Sequence, residues 1–146
     1  PHPTPIGPPN WLLQLLEACS AQEKIGELIK REFSGTKPSY PLGIHHASFG
    51  SGAAVVADDK MVEEATRIDR KLFALDMEAY GVAMANALAS TTSSQFPCFI
   101  VKGAVDFAGI HKNDKYHEYG AYVSAMYIRK FLEFPLSASI FGANNI

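Results

Sequence analysis

The sequence predicts an α/β fold, and three observations carry that reading. Short apolar runs alternate with longer stretches of helical periodicity along the chain. Leu72 to Leu75 is a short buried-type run that passes directly into a helix-like stretch rich in small residues, Ala79 to Ala89. Cys98 to Val101 is the clearest strand pattern, and a long helical pattern ending near Glu133 follows it.

Taken in order, residues 1–9 (PHPTPIGPP) cannot form a helix or a central strand, because proline fixes φ and removes a backbone donor. They read as an extended arm or linker, with the body of the domain over 10–135 and a tail over 136–146. Asn10 is a natural N-cap for a stretch that places Trp11, Leu12, Leu15, Leu16 and Cys19 on one face. A second apolar set, Ile25, Leu28 and Ile29, makes this one amphipathic helix or a helix pair that ends near Phe33. Ser34 to Pro41 is a loop by composition. The run from Leu42 is strand-like at its start and again at Ala53–Val56, with a Ser51-Gly52 turn between. Asp58 or Asp59 can cap a short helix whose stripe is Met61, Val62, Ala65 and Ile68. Small residues along 79–89 allow a neighbouring element to approach closely. The Ser/Thr-rich segment near 90–95 is a turn. The strand at Cys98–Val101 continues to Asp106, and the last helix, from about Asp114 to Glu133, spaces Val123, Tyr127 and Phe131 for burial.

The bulk numbers set the class. A chain of 146 residues with 47% hydrophobic and 19% charged residues can bury one ordinary core. A net charge of -2 points to neither nucleic acid nor an anionic membrane as partner, although a local pocket can still hold a nucleotide-like ligand. No apolar stretch approaches the roughly 20 residues needed to cross a bilayer. Cys19 and Cys98 sit in unrelated contexts and read as reduced thiols, so a cytoplasmic location is expected.

Two carboxylate sites stand out. Asp76-Met77-Glu78 follows an apolar strand directly, and ligands in α/β sheets bind at the carboxyl ends of strands. If the strand persists, Asp76 and Glu78 point the same way; if the chain turns at Met77, the thioether enters the pocket instead. Equally, Asp76 serves simply as the cap of the following helix. Asp106 ends an apolar run beside Phe107, where a carboxyl group has its pKa raised toward the range of a general acid, or else caps the segment that follows. Ser51-Gly52 alone reads as a turn, and neither standard phosphate-cradling pattern occurs. His111 and His117 have a spacing that fits no common metal-binding helix pattern, so no metal is expected. Of the adjacent His45 and His46, a strand would turn one ring inward and the other to solvent.

In this order, SGAAVVAD (51–58), FALDMEAYGVA (73–83) and the segment 99–132 resemble the nucleoside phosphorylase and nucleosidase superfamily. The middle segment is similar to its Glu-Met-Glu signature, and the last to its strand ending in the catalytic aspartate. The resemblance covers about residues 42–133. It implies a three-layer α/β/α fold with a central mixed sheet, of which this chain lacks the N-terminal half, and it implies no cofactor. It further implies that Glu78 hydrogen-bonds the ribose hydroxyls and helps hold the attacking water. Met77 would pack against sugar and base, Asp106 would protonate N7 of the purine, and Val55 and Val56 would contact the base. Asp76, Lys102 and Phe107 complete the substrate-binding set. The HKND stretch and Ser124-Ala125 look most like domains fused to regulatory or NTPase modules in bacteria and fungi.

The chain also departs from the pattern. Asp76 is one methylene shorter than the usual glutamate, Lys102 stands where hydrolytic members often have arginine, and Val105 replaces a small polar residue. The family's opening strand and Gly-rich loop are absent, so the implied partner is a homo-oligomer or the missing N-terminal half. The expected activity is cleavage of the N-glycosidic bond of a purine nucleoside or nucleotide, hydrolytic rather than phosphorolytic, with phosphate as a further possible ligand. A purine nucleoside phosphorylase and a non-catalytic nucleoside-sensing or assembly module are the alternatives.

Overall fold

The computed structural model describes residues 7–51, 63, 66–70, 72–90, 96–105 and 115–135. The chain is α/β: helices α1 (Asn10–Ser20), α2 (Ile25–Glu32), α3 (Ala79–Ala89) and α4 (His117–Glu133) accompany strands β1 (Ser48–Ser51) and β2 (Leu72–Asp76). It divides into two compact units. One contains β1, β2, α3 and residues 96–100; the other contains α1 from Trp11 on, α2, α4 and residues 101–105.

The helical unit follows from the apolar periodicity. Leu12, Leu16 and Cys19 of α1, Ile25 and Ile29 of α2, and Tyr119, Val123, Tyr127 and Phe131 of α4 are all buried. Phe131 and Ile29 are fully enclosed, and each such side chain contributes about 1.5–3 kcal/mol through removal from water. Trp11 and Leu28 share the predicted faces yet remain partly exposed. Phe33 ends α2, as its sequence position predicts, and its ring packs against Tyr119 and Tyr122 at centroid distances of 5.4 and 4.9 Å. Lys37 donates to the carbonyls of Lys30 and Phe33, at 3.1 and 2.6 Å, and so closes the α2 C-terminus. The Ser20 and Tyr127 hydroxyls lie 2.7 Å apart, and both reach the Leu16 carbonyl, at 2.8 and 3.2 Å. Burial pushes the Cys19 thiol and the Tyr127 phenol above their ordinary pKa ranges. Cys19 and Cys98 are both free thiols.

Two strand expectations fail here. Residues 41–47 form no strand, and β1 begins only at Ser48, where the sequence suggested the approach to a turn. Both His45 and His46 are consequently exposed, and His46 Nε2 lies 2.9 Å from the Ser20 hydroxyl. Residues 96–105, with the clearest strand pattern in the sequence, carry no strand hydrogen bonding either. An apolar run becomes a strand only beside another edge. Here Gly103 lies against the α4 backbone instead: a Cβ on it would stand 2.6 Å from the Gly120 carbonyl oxygen. A close approach of small residues occurs at Gly103 and Gly120, and not along 79–89 where the sequence suggests it. Along α3 only Ala79 is buried, and Gly81, Ala85, Ala87 and Ala89 are exposed.

In the other unit, β1 and β2 pair in parallel. Ser48 lies opposite Leu72, and after an irregularity the register runs Phe49–Ala74, Gly50–Leu75 and Ser51–Asp76. Parallel pairing brings both carboxyl ends to one edge. No described helix is long and apolar enough to cross a membrane.

Candidate functional site

The β2 to α3 junction holds the candidate site. Strand β2 ends at Asp76, the chain bends at Met77 and Glu78, and α3 starts at Ala79. The strand does not persist through the tripeptide, so the alternation of side chains across a strand does not apply beyond Asp76.

Asp76 organises the turn. Its Oδ1 accepts the backbone N–H of Glu78 at 2.9 Å and also that of Ala79. Glu78, the residue just before the helix, makes no side-chain cap, so Asp76 takes the capping task from two positions earlier. A short carboxylate suits this because the acceptor must fold back onto its own chain, and an anion at a helix N-terminus also meets the positive end of the helix dipole. The cap reading of Asp76 thus has direct geometry behind it.

The parallel neighbour adds a cross-link. Ser51, paired in register with Asp76, donates its hydroxyl proton to Asp76 Oδ1 at 3.2 Å. The same Oγ accepts the Tyr80 backbone N–H at 2.9 Å. One hydroxyl therefore joins the end of β1, the end of β2 and the first turn of α3. From its local pattern Ser51 reads only as part of a turn. Its signal lies in register, which places it beside Asp76, and register is not written in the local pattern.

Met77 and Glu78 are exposed at this edge. The structure thus brings Asp76, Met77 and Glu78 together, with Ser51 as an unforeseen fourth member. Lys102 is exposed and belongs to the other unit. Val55, Val56, Asp106 and Phe107 lie outside the described residues, as do the expected strand at Ala53–Val56 and the capping candidates Asp58 and Asp59. Among the described residues, no group of three or more His, Cys, Asp or Glu is placed to hold a metal ion. Chemically, the turn offers a carboxylate that accepts from backbone donors, Asp76, and two residues on an exposed second carboxylate, Glu78, next in sequence to the exposed Met77. An exposed carboxylate next to a soft apolar surface suits a ligand carrying hydroxyl donors on an apolar body.

No protein-family model matches the chain, and no solved structure matches it. Over 111 residues it is 31% identical to a protein of Sinorhizobium fredii (strain NBRC 101917 / NGR234) described as "Uncharacterized protein y4jS". The match covers 76% of this chain and 26% of that protein, so the chain spans about a quarter of its relative's length.

Proposed function

We propose that this chain carries the sugar side of a pocket that cleaves the N-glycosidic bond of a purine nucleoside or nucleotide, with water as the nucleophile. The observation that supports the reading is the β2–α3 turn, where Asp76 caps the start of α3 and the exposed Glu78 lies at the carboxyl edge of a parallel strand pair. The ordered resemblance of residues 51–58, 73–83 and 99–132 to nucleosidases supports it, and with it a three-layer α/β/α fold; a cytoplasmic setting is proposed from the two free thiols in unrelated contexts.

In this reading Glu78 accepts hydrogen bonds from the ribose hydroxyls, and Met77 covers the sugar face. Val55 and Val56 contact the base, and Asp76, Lys102 and Phe107 complete the substrate-binding set, as the resemblance implies. Asp106 gives a proton to N7 as the bond from C1′ to N9 breaks and its electron pair passes to the base. Water adds at C1′, and the proton it loses returns by way of solvent to the Asp106 carboxylate, which restores the acid. Positive charge grows on the sugar during this step, so a carboxylate near ribose stabilises the transition state more than the ground state.

The test is to incubate the full-length protein with adenosine, inosine, methylthioadenosine and ATP, with and without phosphate, and to measure free base. Base release without phosphate is the expected result, and Asp106→Asn is expected to abolish most of it. Base released only with phosphate would make the activity phosphorolytic. No base from any substrate would sink the enzyme reading.

A further inference from the structure

We infer that Ser51 is a positioning residue for this site: its hydroxyl ties the end of β1 to the β2–α3 turn and thereby sets where Glu78 stands. The inference rests on the nucleosidase reading for what Glu78 does, and on geometry alone for what Ser51 does.

The hydroxyl has one proton and two lone pairs, and both capacities are used. The proton goes to Asp76 Oδ1 at 3.2 Å, and a lone pair takes the Tyr80 N–H at 2.9 Å. Asp76 Oδ1 in turn holds the N–H groups of Glu78 and Ala79. Glu78 therefore sits in a stretch whose backbone is fixed at residues 78, 79 and 80, and two of those three ties converge on an oxygen that Ser51 itself contacts. The first helical turn has no intrahelical acceptor for its N–H groups, so these side-chain oxygens are what satisfy them.

The register explains why the group comes from β1. Ser51 and Asp76 are paired positions at the end of a parallel ladder, so a short polar side chain on one reaches the other's carboxylate without any further element. Threonine would keep the hydroxyl and suits a strand; alanine would leave the Tyr80 N–H and Asp76 each short of a partner. A carboxylate displaced by even about 1 Å loses much of its effect on a bound substrate.

The experiment uses the full-length protein with Ser51→Ala and Ser51→Thr, and reads two quantities. Amide hydrogen exchange at Tyr80 reports the tie without reference to activity. Base-release kinetics report Glu78. In Ser51→Ala the Tyr80 amide is expected to exchange about tenfold faster, and kcat/KM to fall about tenfold with KM raised. Ser51→Thr should restore both. A merely smaller folded fraction would lower the apparent kcat and leave KM unchanged, and that pattern would overturn the positioning role. Unaltered Tyr80 exchange in Ser51→Ala would overturn the tie itself. If the unsubstituted protein releases no base, the ribose reading and Glu78's task fall together, while the Tyr80 exchange still decides the tie.

Discussion

Replacing Asp76 with glutamate separates a cap from a ligand-binding carboxylate. The charge is kept, and the side chain takes the length usual in the proteins this segment resembles. Asp76 Oδ1 accepts the Glu78 N–H at 2.9 Å and the Ala79 N–H, and takes the Ser51 hydroxyl at 3.2 Å. One more methylene shifts the carboxylate by about 1.5 Å along the side chain. With the backbone in place, the Glu78 contact then leaves hydrogen-bonding range. Loss of an N-cap of this kind costs about 1 kcal/mol, which corresponds to about fivefold more frequent opening of the turn. Amide exchange at Glu78, Ala79 and Tyr80, followed by NMR, reads this directly. Asp76→Asn is the control: asparagine caps as well as aspartate, so protection should stay within about twofold. Base release from the asparagine variant then tells whether the negative charge itself matters to substrate. Full protection in Asp76→Glu would refute the claim that the short side chain holds this turn.

Three further outcomes follow from the helical unit. Gly120→Ala should destabilise the protein, because the new Cβ runs into the Val105 side chain and overpacking of this kind costs about 1–3 kcal/mol, against a helix-propensity gain of about 1 kcal/mol; a raised melting temperature would contradict the contact. Phe131→Ala removes a fully enclosed ring and should cost about 3–5 kcal/mol, measured by denaturant unfolding followed through helical circular dichroism. Burial raises the Tyr127 pKa above its unfolded value near pH 10, so its contribution is complete below about pH 10 and is lost as pH rises through the higher folded value. Thermal midpoints taken across that range should fall less steeply in Tyr127→Phe than in the parent; equal slopes would remove Tyr127 as a cause.

The helices were legible because burial leaves a periodic trace. Leu12, Leu16 and Cys19, then Ile25 and Ile29, then Val123, Tyr127 and Phe131 announce their faces without reference to anything distant, and all are buried. Leu72 to Leu75 does form β2, but as a half-buried strand with Phe73 exposed and not as the buried strand its apolar run suggests. Strands that depend on a partner were less legible. β1 is Ser-Phe-Gly-Ser, with little apolar alternation, and only its ladder to β2 defines it. Cys98 to Val101 has the composition of a strand but no ladder. At the site, the sequence pointed to Asp76, Met77 and Glu78 as one group and left Asp76 open between cap and ligand; the hydrogen bonds supply the cap. Ser51 escaped because its importance is a matter of pairing across 25 positions of chain.

The parallel pairing of β1 and β2 also orders events in time. Two strands running the same way cannot be joined by a hairpin, so residues 52–71 must be gathered before Ser51 can meet Asp76. The backbone hydrogen bonds of helices such as α1 and α2 close within a single turn, whereas pairing between distant segments waits for chain closure. The edge that presents Glu78 therefore assembles only once that closure is complete. A nascent chain cannot present that edge until the segment that carries α3 has been made and has closed onto β1.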